Sequence, residues 1–285
     1  MRRKDFLKLG ALFGGGVFSG ASFGGSGKKH VSEASISDTI SNAGLEGSMF
    51  DYADAPIEKV RVAMVGLGNR GSTLTEMLSW LVSNGHAEIV SICDVQPAFL
   101  DRAEARIAKF QSAVPRRIDG SSDENEWKKA CNSEEADLVI IATPWRWHTP
   151  MAMYAMAQGL HVATEVPIAY TVQENLELLK TAERTKRHCI MLENCCYNGE
   201  ELFVLNMVKE GAFGELTHAE CAYIHDLRQL LIDEDYYHNR WRLQHHLERD
   251  GNLYTTHGLG PVCMYMDILR GDNLSHLVSM SSNEA

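Results

Sequence analysis

A glycine-rich turn contains the first residues whose types and spacing indicate chemistry. Gly66, Gly68 and Gly71 have the spacing G-x-G-x-x-G, between an apolar β-branched run and a helical pattern. Glycines so placed allow a tight turn and let a pyrophosphate approach the backbone at the start of a helix, where the helix dipole favours anions. The pattern predicts a dinucleotide site; the alternative is a turn that binds nothing.

An acidic residue at the end of the next apolar run supports the dinucleotide interpretation. Asp94 follows directly after the run 88–93. Its carboxylate would accept hydrogen bonds from the adenosine ribose hydroxyls and repel a 2′-phosphate. The next residues, Val95 and Gln96, supply no arginine for such a phosphate. We therefore expect NAD rather than NADP as the cofactor.

Aromatic residues follow the third core strand, in the run Trp145-Arg146-Trp147-His148. The preceding Ala-Thr-Pro, 142–144, is where the strand order of a parallel sheet is expected to reverse, and ligands bind in the crevice at such a point. The tryptophans are therefore predicted to form a wall of the cofactor site. The alternative is that they pack the start of a helix.

The chain from residue 57 alternates between strand and helix patterns, which predicts an α/β fold with a doubly wound, mostly parallel sheet. Thr149-Pro150 resembles an N-cap followed by proline, and Thr171 with Glu174 predicts a capping box. Residues 112–135 are interpreted as a polar connection. The predicted strands are 59–66, 88–93, 137–143, 160–164 and 188–192.

The alternation changes after Gly214, where 215–225 has the pattern of one long strand of a different sheet. One strand cannot bury its face alone. We therefore expect a dinucleotide-binding domain at 57–197 and, at 198–285, the start of an α/β domain with an open sheet that is incomplete at its C-terminus.

The N-terminal segment resembles a protein-targeting signal rather than part of a folded domain. Basic residues and Phe-Leu-Lys precede a glycine-rich, weakly apolar stretch, as in twin-arginine export signals. We predict an export signal at 1–29, a linker at 30–56 and no stable membrane insertion; the alternative is an uncleaved basic amphipathic tail. Recovery of the protein from the cytoplasmic fraction alone would contradict export to the periplasm or cell envelope.

Composition excludes other classes of function. The formal net charge is −11, and an acidic protein repels nucleic-acid phosphates. None of the seven cysteines has C-x-x-C or zinc-ligand spacing, so we expect buried free thiols and no metal. The expected partner is a small molecule, with a homo-oligomer left open.

Five motifs in the sequence are more specific than the glycine turn: ATPWRWHTPMA, ATEVPIAYT, MLENCCYN, AYIHDLR and NLYTTHGLGPV. Together they resemble glycoside hydrolase family 109, the NAD-dependent α-N-acetylgalactosaminidases, within the glucose–fructose oxidoreductase superfamily. The resemblance covers about 59–263. It implies a Rossmann domain, then an α/β domain with an open sheet, and a tightly held NAD that is not consumed.

The resemblance also implies roles for individual residues. Asn69 and Arg70 would contact the cofactor phosphates, and Glu193 would be a catalytic residue beside the sugar. The remaining cofactor contacts implied are Trp145, Arg146, Trp147, His148, Glu165, Val166, Asn194 and Tyr254. The residues implied around the sugar are Tyr223, His225, Arg242, Tyr254, Thr255, Thr256 and His257.

The implied mechanism oxidises the sugar at C3, eliminates the C1 substituent, adds water and reduces C3 again. It needs a base for the C3 hydroxyl and another for the C2 hydrogen. The catalytic phenols and imidazoles implied for these proton transfers are those of Tyr223, His225, Tyr254 and His257. Among them, Tyr223 is favoured as the C2 base and His257 as the partner of the C3 oxygen. Val166 and Leu253 stand where the wider superfamily has lysine and aspartate, which argues against the alternative, an ordinary sugar or polyol dehydrogenase. A third possibility is an inactive, truncated dinucleotide-binding protein.

Overall fold

The computed structural model describes Met49, 52–249 and 252–280. The predicted export signal at 1–29 lies outside these residues, as does most of the predicted linker. Within the described ranges, no helix is both long and apolar enough to cross a lipid bilayer. The chain divides into two compact units between Leu192 and Glu193, a few residues before the predicted domain boundary.

The N-terminal unit is built on a six-stranded parallel sheet in the order β3-β2-β1-β4-β5-β6. The order reverses between β1 and β4, whose carboxyl ends border the crevice where ligands bind in such sheets. This confirms the doubly wound sheet and the predicted reversal point. The strands are β1 (Val60–Val65), β2 (Ala87–Asp94), β3 (Arg116–Asp119), β4 (Leu138–Ile141), β5 (His161–Thr164) and β6 (Cys189–Met191).

Helices cover both faces of this sheet because successive strand residues point to opposite sides. Val62 and Met64 of β1 belong to one buried core with α1 and α2, whereas Ala63 and Val65 belong to a second core with α3 and α4. The helices are α1 (Asn69–Ser83), α2 (Pro97–Ile107), α3 (His148–Ala157) and α4 (Val172–Thr185); 3₁₀ helices span Glu124–Ala130 and Trp145–Trp147.

The predicted capping box at Thr171 and Glu174 is present. The Thr171 hydroxyl accepts a hydrogen bond from the backbone of Glu174, whose carboxylate accepts from the backbone of Thr171, both at 3.1 Å. The predicted cap at Thr149 is wrong, since α3 already begins at His148. The Thr149 hydroxyl instead donates to the carbonyl of Ile168 at 3.1 Å, so a contact with another loop replaces the local cap.

The polar connection predicted at 112–135 is partly wrong, because it contains β3 and the 3₁₀ helix Glu124–Ala130. In β3 only Ile118 is buried, and the arginines on its N-terminal side are exposed. An edge strand has one neighbour and buries little apolar surface, so its sequence lacks the pattern that identifies central strands.

The C-terminal unit is helical where it is described. Its helices are α5 (Gly199–Lys209), α6 (Arg228–Ile232), α7 (Trp241–Glu248) and α8 (Thr255–Tyr265), with 3₁₀ turns at Asn194–Cys196 and His238–Arg240. The predicted strand at 215–225 is wrong: 193–249 and 252–280 contain no strand that could pair with it, and an unpaired strand is not stable. Ile224, near its C-terminal end, is 94% exposed.

All seven cysteines are free thiols, as expected. Burial raises the pKa of Cys93 and of Cys131 to about 12, so both remain protonated. The expectation that the thiols are buried fails for Cys221, which is exposed, and is only partly met for Cys189, Cys195 and Cys263.

Candidate functional site

The glycine turn that follows β1 is shaped by two close backbone contacts. Gly66 has φ of +87°, and a Cβ there would lie 2.6 Å from the carbonyl oxygen of Ala142. A Cβ on Gly71 would lie 1.9 Å from the carbonyl oxygen of Gly66. A Cβ on Gly68 would meet only the ring of Phe99, at 3.4 Å. Packing therefore requires glycine at positions 66 and 71, whereas Gly68 leaves space into which a ligand can fit.

Asp94 is fixed beside this turn by the backbone. Its Oδ2 accepts a hydrogen bond from the backbone N–H of Leu67 at 2.7 Å, and its Oδ1 accepts from that of Gln96 at 2.8 Å. Each carboxylate oxygen can accept a further hydrogen bond. The open glycine turn and this oriented carboxylate fit the pyrophosphate and ribose of NAD.

Arg70 and Glu165, which the family resemblance assigns to the cofactor site, form an ion pair with each other. Arg70, in the first turn of α1, donates from Nε to Oε1 of Glu165 at 2.6 Å, next to the end of β5. The Glu165 side chain is only 10% exposed. Val166 follows it and is buried, and Asn69 is exposed where α1 begins. The pair thus links the glycine turn to the carboxyl end of β5.

The tryptophan run has a mainly structural environment. Trp145 is buried, and the ring of Trp147 packs edge-on against that of Trp127, with 6.4 Å between centroids and 63° between planes. Arg146 is exposed, with its guanidinium 5.3 Å from the Trp147 ring and 3.2 Å from Glu124. These contacts hold the chain at the carboxyl end of β4.

His148 is buried beneath the same loop. Its ring nitrogens lie 2.8 Å from the carbonyl oxygens of Thr143 and Pro167. Burial lowers the pKa of His148, although both carbonyl contacts act in the opposite direction. The imidazole therefore joins the loops after β4 and β5.

In the C-terminal unit, a buried acid–base pair is the strongest sign of chemistry. His257 Nδ1 lies 2.6 Å from Oε1 of Glu193, and their side chains are 8% and 5% exposed. Burial raises the pKa of Glu193, but contacts with Thr256 and His257 and the backbone N–H of Cys195 lower it more, so the net pKa lies below its usual value. Glu193 is thus an anion that orients the imidazole.

Aromatic rings surround His257. The Tyr254 ring stacks on the imidazole at 4.9 Å with 9° between planes, since Tyr254 is the N-cap residue of α8 and His257 lies in its first turn. The Tyr223 ring lies 4.7 Å from His257, and its hydroxyl is 2.8 Å from Nδ1 of His225. The structure therefore brings together the four residues predicted to carry the proton transfers.

Arg242 is held against the same group of rings. Its guanidinium carbon lies 4.5 Å from the centroid of the Tyr254 ring, and its Nη1 donates to the hydroxyl of Tyr237 at 2.6 Å. Arg242 is 8% exposed. Sequence reasoning missed Tyr237, whose only signal was its place in an aromatic-rich stretch before α7.

The remaining predicted contacts lie at the edge of this cluster. Thr256 contacts Glu193, whereas the Thr255 hydroxyl donates to the backbone of Asn252 at 3.2 Å. Asn194 is exposed in the turn that follows Glu193. Thr256 therefore contacts the buried Glu193–His257 pair, whereas Thr255 and Asn194 lie outside this contact.

Two glycines missed by the sequence analysis allow α8 to approach the rest of the unit. A Cβ on Gly260 would lie 2.7 Å from Sγ of Cys196, and one on Gly258 would lie 2.8 Å from Sγ of Cys221. Glycine within a helix costs about 1 kcal/mol relative to alanine, so two of them in one turn indicate a packing requirement. The close contact at Gly260 brings His257 to Glu193.

Comparisons with known proteins agree with this division of the chain. Residues 60–193 match the oxidoreductase family with an NAD-binding Rossmann fold. Residues 197–285 match the C-terminal domain of glycosyl hydrolase 109.

An alpha-N-acetylgalactosaminidase of Bacteroides fragilis is 44% identical over 236 residues, which are 82% of this chain and 54% of that protein. A glycosyl hydrolase family 109 protein of Solibacter usitatus is 43% identical over 283 residues, 99% of this chain and 59% of that protein. The chain thus spans somewhat more than half the length of these relatives.

Among solved structures, scyllo-inositol dehydrogenase from Lactobacillus casei with bound NAD(H) and scyllo-inositol has a TM-score of 0.46 at 18% identity, covering 56% of this chain and 43% of that one. The two domain matches and the identities to curated relatives are much more specific. The chain has an NAD-binding Rossmann domain. Its C-terminal part matches the C-terminal domain of glycosyl hydrolase 109, and the chain is similar to curated proteins of that family.

Proposed function

We propose that this chain acts as an NAD-dependent glycosidase on terminal α-N-acetylgalactosaminides. The observation that carries the proposal is the buried Glu193–His257 pair, with Tyr223, Tyr254 and Arg242 packed around it. Such a group combines acid–base residues with a fixed cation that can bind sugar oxygens. The substrate is taken from the name of the curated Bacteroides fragilis relative.

The glycine turn, Asp94 and Arg70 would hold NAD, which supplies a reversible oxidation of the sugar at C3 when bound. Because Nδ1 of His257 donates to an anionic Glu193, Nε2 carries the lone pair and can accept the proton of the C3 hydroxyl. We assign the C2 proton to Tyr223, whose own phenolic proton can pass to His225. Loss of the C2 proton expels the C1 substituent, and water then adds at C1.

The reaction is tested with an aryl α-N-acetylgalactosaminide in heavy water. Purified protein loaded with NAD is expected to release the phenol without net NADH, and the released sugar is expected to carry deuterium at C2. Removal of the dinucleotide should abolish release and its return should restore it. Accumulation of NADH in step with sugar oxidation would instead indicate a dehydrogenase, and unchanged hydrolysis without dinucleotide would refute the mechanism.

A second prediction concerns the residue that holds Arg242. Tyr237→Phe removes the hydroxyl that accepts from Nη1, and a hydrogen bond to a charged group contributes about 1.5–3 kcal/mol. KM is expected to rise about tenfold or more with kcat nearly unchanged, because the guanidinium loses its fixed orientation. The control is Tyr236→Phe, which alters the neighbouring exposed ring. An unchanged KM in Tyr237→Phe would show that Arg242 does not depend on this contact.

A further inference from the structure

Three side chains of different chemistry meet where the turn Asn194–Cys196 packs against α8. An oxygen of Glu193, the Sγ of Cys195 and a ring nitrogen of His257 all lie within 4.8 Å of one another. Glu193 and Cys195 flank the exposed Asn194, and His257 comes from the first turn of the helix. One carboxylate, one thiol and one imidazole are the ligand types that Zn²⁺ accepts.

The surroundings of these side chains favour a cation. The Glu193 side chain is 5% exposed, and its second oxygen, Oε2, is buried without a hydrogen-bond partner of normal geometry among the described residues. A buried carboxylate that is not fully paired is costly. A divalent cation bound by this carboxylate and by the thiolate of Cys195 would make the group electrically neutral.

The mixture of ligands also selects the ion. Mg²⁺ and Ca²⁺ prefer oxygen ligands, whereas a thiolate together with an imidazole favours zinc. Catalytic zinc sites commonly have three protein ligands and one open position. We propose that Glu193, Cys195 and His257 form a three-ligand site for Zn²⁺, and that zinc bound there inhibits the enzyme; the inhibition rests on the proposed glycosidase function, while the binding does not.

The expected inhibition by zinc results from the proton changes that metal binding causes at Cys195 and His257. Zinc binding releases the thiol proton of Cys195 to solvent, because the thiolate is the ligand. Coordination through Nδ1 of His257 moves the ring proton to Nε2, and the hydrogen bond to Glu193 is replaced by bonds to the metal. The imidazole then has no free lone pair, so it cannot accept the proton of a sugar hydroxyl.

Metal binding is measured on the full chain loaded with NAD, by competition with a chromophoric zinc chelator and by the thiolate-to-metal absorption of the Co²⁺ form. The test variant is Cys195→Ser, and the matched control is Cys196→Ser, the neighbouring thiol that packs on Gly260. The wild-type protein and the control are expected to bind one Zn²⁺ per chain and to show the Co²⁺ band. Cys195→Ser is expected to bind zinc at least about tenfold more weakly and to lack the band.

Activity provides the second measurement. Zinc is expected to inhibit wild type and Cys196→Ser reversibly, with recovery on chelation, whereas Cys195→Ser keeps its basal activity and resists inhibition. Zinc binding equal to wild type in Cys195→Ser, or no Co²⁺ band in any form, would overturn the site even if the glycosidase is active. Cysteine-dependent zinc binding by a protein with no glycosidase activity would leave the site standing and refute the proposed function.

Discussion

Replacement of His257 by alanine is expected to lower kcat on an aryl α-N-acetylgalactosaminide by about 10²–10⁴-fold, the usual contribution of a positioned general base. The imidazole is the proposed acceptor of the C3 proton, and its pairing with Glu193 at 2.6 Å fixes the tautomer with a lone pair on Nε2. NAD retention should not change, because the dinucleotide contacts proposed above involve other residues. Steady-state kinetics and the dinucleotide content of the purified protein measure both effects.

Alanine at this position also leaves a buried carboxylate without its partner, which costs about 1–3 kcal/mol of stability. The variant His257→Gln separates the two effects, since its amide can still donate to Glu193 but cannot act as a base. It is expected to fold like wild type and to be as slow as the alanine variant. His218→Ala, an exposed histidine of the same unit, is the control. Activity of His257→Gln within about threefold of wild type would exclude a proton transfer by this residue.

The second large effect is expected from Gly71→Ala. The new methyl carbon would lie 1.9 Å from the carbonyl oxygen of Gly66, so the backbone must move. Overpacking a tight site costs about 3 kcal/mol at its upper range, which corresponds to a fall in Tm of about 6–12 °C for a protein of this size. Thermal unfolding followed by circular dichroism on dinucleotide-free protein measures the change.

Gly68→Ala in the same turn is the matched variant. Its methyl group would meet only the Phe99 ring at 3.4 Å, an ordinary contact, so Tm is expected to stay within about 3 °C of wild type. NAD affinity should nevertheless fall, because the methyl group fills the space into which the pyrophosphate fits. Equal Tm values for the two variants would contradict the packing role given to Gly71.

The sequence predicts the N-terminal sheet well because its central strands are apolar on both faces. Runs of aliphatic residues identify β1 and β4 in the sequence, and most residues of both strands are buried. β3 is not predicted from the sequence, because three of its four residues are exposed and the strand lacks an apolar run. The opposite error occurs at 215–225, where alternation alone predicts a strand. Alternation shows that a strand could form, but pairing requires a partner that the described C-terminal residues do not supply.

The candidate site is predicted as a set of residues but not as a set of contacts. The motifs indicate both Arg70 and Glu165, yet no spacing rule predicts their ion pair, which spans 95 residues. Tyr237 lies outside the five motifs, and Cys195 lies within one of them without an assigned role. Only the packing of α8 brings Cys195 near His257. Contacts between distant segments depend on tertiary structure, which local patterns do not encode.

The acid–base pair joins residues 64 positions apart, and both belong to the C-terminal unit. All six strands of the dinucleotide unit precede Leu192. Since domains fold as units and the N-terminal one leaves the ribosome first, the sheet can form while α8 is still being translated. During synthesis, a nascent chain is therefore competent to bind a nucleotide before the hydrogen bond between Glu193 and His257 forms.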